Sequence, residues 1–198
     1  RAMADEMSLV FQGRVWKFGD SISTDVIMPG MLYSRLLAPE EIAKSCMQAN
    51  RPGWAEQVQP GDIIVARRNF GCGSSRPAAR VLKALGITVV VAHSMSRLFF
   101  RNSVNVGFPV LICAGVYDAF DEGDMAEVNA ETGEVKNISQ GTAIQGDVLS
   151  PDSPPYQILK AGGQHFSRAG FTEGTSSIEL EADHFAAGLL MPAGLVRS

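Results

Sequence analysis

The sequence contains few of the residues from which metal and redox centres are built. Its 198 residues include three cysteines and three histidines. The cysteines, Cys46, Cys72 and Cys113, are odd in number and widely spaced, so they match neither a disulfide framework nor a cluster motif. We therefore expect a chain that binds no metal or cofactor itself and works in a reducing compartment, the cytoplasm.

The sequence also lacks an excess of basic residues and any long apolar run. It has 17 lysines and arginines against 21 acidic residues, a net charge of −4, and no clustered basic face. This balance argues against a nucleic-acid partner. The apolar stretches are too short to cross a bilayer and no secretory signal is visible, so we expect no membrane partner. An apolar content of 45% suits a core, and the length predicts one α/β domain with extensions.

A strand–helix–strand unit lies in the middle of the chain. Residues 62–66 form an apolar run that predicts a buried strand. Residues 78–85 carry apolar positions at helical spacing, after Pro77 at the first helical position and before Gly86 as a terminator. Residues 87–92 are again continuously apolar, which is typical of a parallel strand that is buried on both sides.

The loop between this strand and helix has the sequence Asn-Phe-Gly-Cys-Gly-Ser-Ser-Arg at residues 69–76. It places the hydroxyls of Ser74 and Ser75, the Arg76 guanidinium and free backbone N–H groups at a helix N-terminus, which favours anions. Arginine also binds a carboxylate with two parallel hydrogen bonds. The residues predict a carboxylate site or, with equal weight, a tight connection with serine caps. The loop matches neither a P-loop nor a G-x-G-x-x-G turn.

Similar patterns predict the remaining elements. Ser94 is the predicted cap of a helix that ends near Val106. The other predictions are strands at 10–17 and 110–112, a helix at 39–48, a hairpin at 126–135, and a turn-rich loop at 147–155 before a short helix.

The loop at 69–76 resembles the signature of the aconitase-type swivel domain and, within that family, of the small subunits of 3-isopropylmalate dehydratase. Further stretches resemble the family in the same order, namely residues 13–20, 23–29, 61–66, 92–102, 105–109 and 156–163. The resemblance covers about residues 9–164. It implies a swivelling β/β/α domain of the aconitase C-terminal type, flanked by an N-terminal extension at 1–8 and a partly helical C-terminal extension at 165–198.

The resemblance implies half of an enzyme. Members of the family isomerise or dehydrate hydroxy-diacids, and isopropylmalate in leucine biosynthesis is the expected substrate. Such a small subunit is active only with a large subunit, in a heterodimer or heterotetramer. The large subunit carries a [4Fe–4S] cluster on three cysteines, and its fourth iron acts as a Lewis acid.

The resemblance also assigns residue roles. Ser74 is the expected base, acting as an alkoxide that removes the proton next to a carboxylate, and it needs surrounding donors to stabilise its charge. Ser75, Arg76 and Gly73 are expected to bind that carboxylate. Thr24 and Asp25 are expected near the active site, with Asp25 in a structural role, although local physics alone makes this segment an ordinary turn or helix cap.

Two departures from the family pattern bear on the substrate. Pro77-Ala78-Ala79 replaces the usual Glu-His-Ala, which removes a charge and an imidazole beside Arg76. The predicted specificity loop carries Met31, Leu32 and Tyr33, which favour an apolar substituent over a third carboxylate. Two alternatives stay open for this loop: these three residues pack at the subunit interface, or Arg35 turns inward.

The segment after residue 164 does not match the family. Residues 179–192 resemble a helix of a zinc metallopeptidase family, but the chain lacks the paired histidines of such a site, since its histidines are His93, His165 and His184. We expect a packing or oligomerisation extension. The main functional hypothesis is the isopropylmalate-type subunit. The alternatives are a subunit acting on another branched or methylated malate-type diacid and a non-catalytic carboxylate-binding module.

Overall fold

Parallel strands form the half of the sheet that carries the predicted loop. The computed structural model describes residues 8–28, 38–73, 76–149 and 151–163. The parallel strands pair in chain order and are β1 (Val10–Phe18), β2 (Ile63–Ala66), β3 (Val89–Ala92) and β4 (Val110–Ile112). Every residue of β2 and β3 is buried, which explains why both strands are continuous apolar runs in the sequence.

The other half of the sheet is antiparallel and continues from the free side of β1. It consists of β5 (Met125–Asn129), β6 (Glu134–Asn137) and β7 (Thr142–Gln145). Among the described residues the strand order is β4-β3-β2-β1-β5-β6-β7. Just after β7, the Asp147 N–H donates to the Ile112 carbonyl at 2.8 Å, so the two outermost strands approach each other and the sheet curls towards a half-barrel.

Helices cover one face of the sheet. They are α1 (Thr24–Ile27), α2 (Pro39–Ala43), α3 (Trp54–Gln57), α4 (Ala78–Leu85) and α5 (Arg97–Asn105), and α6 (Pro154–Lys160) packs beside α5. The 3₁₀ turn at Val116–Ala119 packs on the other face, in the same apolar cluster as Val15 and Ile63. Because strand side chains alternate between faces, Trp16 and Ile64 pack with the helices, whereas Val15 and Ile63 pack with β5 and β6. Two apolar layers therefore enclose the parallel strands, as the β/β/α prediction requires.

Most predicted elements are present. The structure confirms β1, β4, the β5–β6 hairpin and α4, which ends at Gly86 with a left-handed φ of 105°. The strand β7 was not predicted, because three of its four residues are exposed and it has no apolar alternation.

Several boundaries differ from the predictions. The strands β2 and β3 begin at Ile63 and Val89, one and two residues later than predicted. The predicted helix at 39–48 ends at Ala43, and the chain then makes tighter turns, including Cys46 N–H to the Ala43 carbonyl at 3.0 Å, before Met47 adopts a φ of 59°. The cap of α5 is Ser96 rather than Ser94. The last helix begins at Pro154, inside the loop that was predicted to reach residue 155.

The described residues belong to one unit, which extends to Gly163. The predictions for the C-terminal extension at 165–198, and for all but Ser8 of the N-terminal extension at 1–8, lie outside the described residues. In the parts that the structure describes, no helix has the length and apolar character needed to cross a membrane.

Candidate functional site

The loop after β2 is held in place on its first side by the segment that follows β1. The Gly71 N–H donates to the Ile22 carbonyl at 2.8 Å, and the Thr24 N–H donates to the Cys72 carbonyl at 2.8 Å. Ser23 and Cys72 form a parallel bridge. The loop therefore continues the parallel pairing beyond the carboxyl end of β2, where ligands of α/β proteins bind.

The segment after β3 holds the second side of the same loop. Phe70 and Met95 form a parallel bridge, and the Asn69 N–H donates to the Ser94 hydroxyl at 2.9 Å. The Ser96 hydroxyl donates to the Gly71 carbonyl at 2.7 Å. Residues 69–72 thus lie between two flanking segments, and their backbone is fixed from both sides.

Gly71 allows a close approach that a side chain would block, and Gly73 adopts a left-handed φ beside the segment after β1. Gly71 has a φ of 72°, and a Cβ there would lie 2.2 Å from the Phe99 ring carbon Cγ. Gly73 has a φ of 100°, and its Cβ would lie 3.6 Å from the Thr24 Oγ1 and 3.9 Å from the Asp25 Oδ2. The structure therefore brings Gly73, Thr24 and Asp25, three predicted site residues, to one place.

Arg76 joins this group from the other end of the loop. Its guanidinium Nε forms an ion pair with Asp25 Oδ1, and its Nη1 donates to the Met28 carbonyl at 3.4 Å. The side chains of Arg76 and Asp25 are 27% and 52% exposed, so both reach solvent at the carboxyl edge of the sheet. The ion pair orients the guanidinium while leaving part of it accessible to an anion.

Thr24 and Asp25 also fit the local interpretation of their segment. Ser23 is the N-cap of α1, and its hydroxyl accepts the Val26 N–H at 3.2 Å. Thr24 is 3% exposed, and Asp25 lies in the first helical turn, where a carboxylate is favourable. Thr24 and Asp25 therefore lie at the capped start of a helix and also next to Gly73. The functional roles of the two residues stay predictions.

The N-terminus of α4 differs slightly from the sequence prediction. The helix begins at Ala78, so Pro77 occupies the cap position rather than the first helical position. No acidic residue lies in the first turn of this described helix. Because no carboxylate of its own neutralises the positive end of the helix dipole, that end can stabilise an anion beside Arg76.

Several predicted site residues lie outside the described residues. These are the predicted base Ser74, the predicted carboxylate ligand Ser75, and the specificity-loop residues Met31, Leu32 and Tyr33. Their roles stay predictions.

Ser96 binds the loop after β2, but the sequence analysis assigned it no role. It precedes the helical run at 97–105 and its hydroxyl accepts the Phe99 N–H at 3.1 Å, so the N-cap pattern was a usable signal for one of its two bonds. The bond to Gly71 depends on the tertiary structure, because no local pattern predicts which loop the cap faces.

The thiols differ in their surroundings. Cys46 and Cys113 are buried, whereas Cys72 is partly exposed in the loop. Burial raises the pKa of the Cys46 thiol, and burial together with the charge of Asp147 raises the pKa of the Cys113 thiol to about 11. Among the described residues, no three His, Cys, Asp or Glu side chains form a group that could hold a metal ion.

Known proteins are similar to this chain in sequence. The aconitase C-terminal domain model matches residues 39–112. The isopropylmalate/citramalate isomerase small subunit of Methanocaldococcus jannaschii is 45% identical over 162 residues, which cover 79% of this chain and 92% of that protein. The 3-isopropylmalate dehydratase small subunit 1 of Methanopyrus kandleri is 48% identical over 155 residues, which cover 78% and 89%.

A solved structure gives the same result in three dimensions. The crystal structure of 3-isopropylmalate dehydratase from Methanocaldococcus jannaschii superposes with a TM-score of 0.72 at 37% sequence identity. The superposition covers 78% of this chain and 90% of that one.

Proposed function

This chain belongs to the family of 3-isopropylmalate dehydratase small subunits, and we propose that it forms a hydro-lyase with a large subunit and interconverts 2- and 3-isopropylmalate in leucine biosynthesis. Family membership confirms the aconitase-type swivel fold. The observation that carries the proposal is the 45% identity to a named small subunit over 92% of its length. A small subunit implies a large one as its partner.

The iron–sulfur cluster of such an enzyme belongs, in this proposal, to the large subunit. Two of the three thiols of this chain are buried and apart from the loop, and the described residues offer no ligand group, so the donor set does not fit a cluster here. When bound by the partner, the cluster supplies a Lewis acid for the substrate hydroxyl. The heterodimeric or heterotetrameric state and the cytoplasmic location stay predictions.

This chain contributes the binding and proton-transfer groups. Arg76 binds a substrate carboxylate through the accessible part of its guanidinium, and Asp25 orients it. The N–H groups at the start of α4 add to the positive field at this edge. Ser74, which follows Gly73 in the chain, removes the proton next to the carboxylate, and this field stabilises the alkoxide.

A methylated malate is the second candidate substrate. The Methanocaldococcus relative is named for both isopropylmalate and citramalate, and Pro77 and Ala78 change the residues next to Arg76. Both candidates carry an apolar substituent, which agrees with the Met31, Leu32 and Tyr33 side chains of the predicted specificity loop.

The test is turnover by the reconstituted complex. The chain is co-expressed with the large subunit of its own source, purified without oxygen, and supplied with 3-isopropylmalate or citramalate. We expect turnover of isopropylmalate, and loss of at least about 100-fold in Ser74→Ala, with subunit association intact. Ser139→Ala, in the turn between β6 and β7, is the control.

Each result has a definite meaning. Turnover of citramalate alone would replace the first substrate by the second. A stable, cluster-loaded complex without activity on either diacid would favour the carboxylate-binding module. Full activity in Ser74→Ala would show that another group is the base.

Exchange of Pro77-Ala78 for Glu-His tests whether these two residues affect the preference between isopropylmalate and citramalate. An unchanged preference would assign these positions no part in selectivity.

A further inference from the structure

The Ser96 hydroxyl makes two hydrogen bonds that point in different directions. It donates to the Gly71 carbonyl at 2.7 Å and accepts the Phe99 N–H at 3.1 Å. A serine hydroxyl has a single proton, so the bond to Gly71 uses its donor capacity and the helix cap uses an acceptor lone pair. Ser96 therefore ties the loop after β2 directly to the N-terminus of α5.

The helix end to which Gly71 is tied is firmly packed. Phe99 is 2% exposed, and its ring makes an edge-to-face contact with Phe70 at a centroid distance of 5.3 Å. The Ser103 hydroxyl donates to the Phe99 carbonyl at 2.7 Å inside the core. Because α5 is anchored in this way, the bond from Ser96 fixes the loop against a rigid element rather than against a second loop.

Gly71 is held on three sides. Its N–H donates to the Ile22 carbonyl at 2.8 Å, its carbonyl accepts the Ser96 hydroxyl, and its α-carbon faces the Phe99 ring, where a Cβ would clash. Cys72 and Gly73 come next in the chain and lead to Ser74. The orientation of the Gly71 peptide therefore sets the direction in which the chain enters the proposed catalytic segment.

From these contacts we infer that Ser96 is a positioning residue for the reaction, acting through the Gly71 carbonyl on the loop that carries the proposed base. This inference rests on the proposed function. A displacement of about 1 Å in a reacting group can lower a rate by about 100-fold. Since substrate binding depends on Arg76, which Asp25 and Met28 hold from the other side, the effect should fall on kcat rather than on KM.

Three substitutions separate the two bonds of Ser96. Ser96→Ala removes both bonds. Ser96→Asp keeps a cap acceptor, because aspartate is as good an N-cap as serine, but an ionised carboxylate cannot donate to Gly71. Ser96→Thr keeps both capacities. Ser153→Ala is the matched control, since the Ser153 hydroxyl caps α6 by accepting the Tyr156 N–H at 3.4 Å, away from the loop.

The experiment measures kcat and KM for 3-isopropylmalate in the complex with the large subunit. We expect Ser96→Ala and Ser96→Asp to lower kcat by at least about tenfold with KM within about threefold of wild type. Ser96→Thr and Ser153→Ala should stay within about twofold of wild-type kcat. Equal kcat values in Ser96→Asp and Ser96→Thr, or in Ser96→Ala and Ser153→Ala, would overturn the inference.

A second measurement does not depend on activity. Hydrogen exchange of the Gly71 and Cys72 amides in the purified subunit should accelerate by at least about tenfold in Ser96→Asp and not in Ser153→Ala. Unchanged exchange would overturn the inference even if the enzyme assay showed a loss. If the wild-type complex turned over no diacid, the proposed function would fail. Accelerated exchange in Ser96→Asp would still show that Ser96 fixes the loop through the Gly71 carbonyl.

Discussion

Arg76, just before α4, forms an ion pair with Asp25 in the first turn of α1. Arg76 is the last residue of the loop after β2, Asp25 belongs to the segment after β1, and the two meet at the carboxyl edge of the parallel strands. The same guanidinium also donates to the Met28 carbonyl at 3.4 Å. One cation is thereby aimed at the place where the proposed substrate carboxylate binds.

Asp25→Asn tests this arrangement. The amide keeps the shape but loses the charge that holds the guanidinium, so we expect kcat/KM for 3-isopropylmalate to fall about tenfold, which corresponds to about 1.4 kcal/mol. Asp118→Asn is the control, since Asp118 pairs with Arg67 at 3.6 Å in an exposed contact. Equal activity of the two variants would remove Asp25 from the site.

Asp62 should stabilise the junction of β1 and β2. This residue is 4% exposed, and its Oδ2 accepts from Arg14 Nη2 at 2.8 Å, Trp16 Nε1 at 2.7 Å and the Gln59 N–H at 2.9 Å. Asp62→Asn can keep an acceptor oxygen in the place of Oδ2 but removes the negative charge, so the hydrogen bonds weaken and the Arg14 guanidinium loses its ion-pair partner. We expect a loss of about 2 kcal/mol in the free energy of unfolding, measured by urea denaturation of the isolated subunit.

The same carboxyl predicts a pH dependence. Burial would raise the pKa of Asp62, but the hydrogen bonds from Arg14, Gln59 and Trp16 outweigh it and hold the pKa below the ordinary 3.8. The stabilisation is therefore complete above the unfolded-state pKa and is lost as the pH falls through the lower folded-state value. Below about pH 4, wild type should lose stability more steeply than Asp62→Asn. Parallel curves would contradict this assignment.

Gly71→Ala and Gly115→Ala form a matched pair. Both glycines have a left-handed φ, 72° and 81°, but only the Cβ at position 71 would meet other atoms, with the Phe99 Cγ at 2.2 Å. We expect Gly115→Ala to cost about 1 kcal/mol of stability from backbone strain alone. Gly71→Ala should cost about 1–3 kcal/mol more because of overpacking. Similar melting temperatures for the two variants would show that the loop can move away from Phe99.

The thiols should react selectively. In the native subunit we expect one of the three cysteines, Cys72, to react with an aromatic disulfide reagent, because Cys46 and Cys113 are buried and have raised pKa values. The adduct lies one residue from Gly73 and should block turnover. Cys72→Ala should remove the native reaction and protect the complex from inhibition. Persistent inhibition in that variant would place the sensitive thiol elsewhere.

Local patterns account for most of the fold. The order of β2, loop, α4 and β3 follows from the apolar runs at 62–66, 78–85 and 87–92 and from Gly71, Pro77 and Gly86 between them, whose backbone preferences act over a few residues. The end of α2 could not be predicted in this way. Its helical pattern continues past Ala43, but burial of Cys46 and Met47 against the core turns the chain earlier.

The candidate site also combines features that local sequence patterns predict with contacts that they do not predict. The sequence by itself determined that a glycine-rich loop with an arginine precedes a helix, because steric limits and helix capping are properties of neighbouring residues. The tertiary structure decided that Asp25 faces Arg76 and that the Ser96 hydroxyl, which caps α5 locally, also binds the Gly71 carbonyl. These choices depend on which chain segments meet at the carboxyl ends of β1, β2 and β3, and periodicity within one segment carries no information about a partner far along the chain.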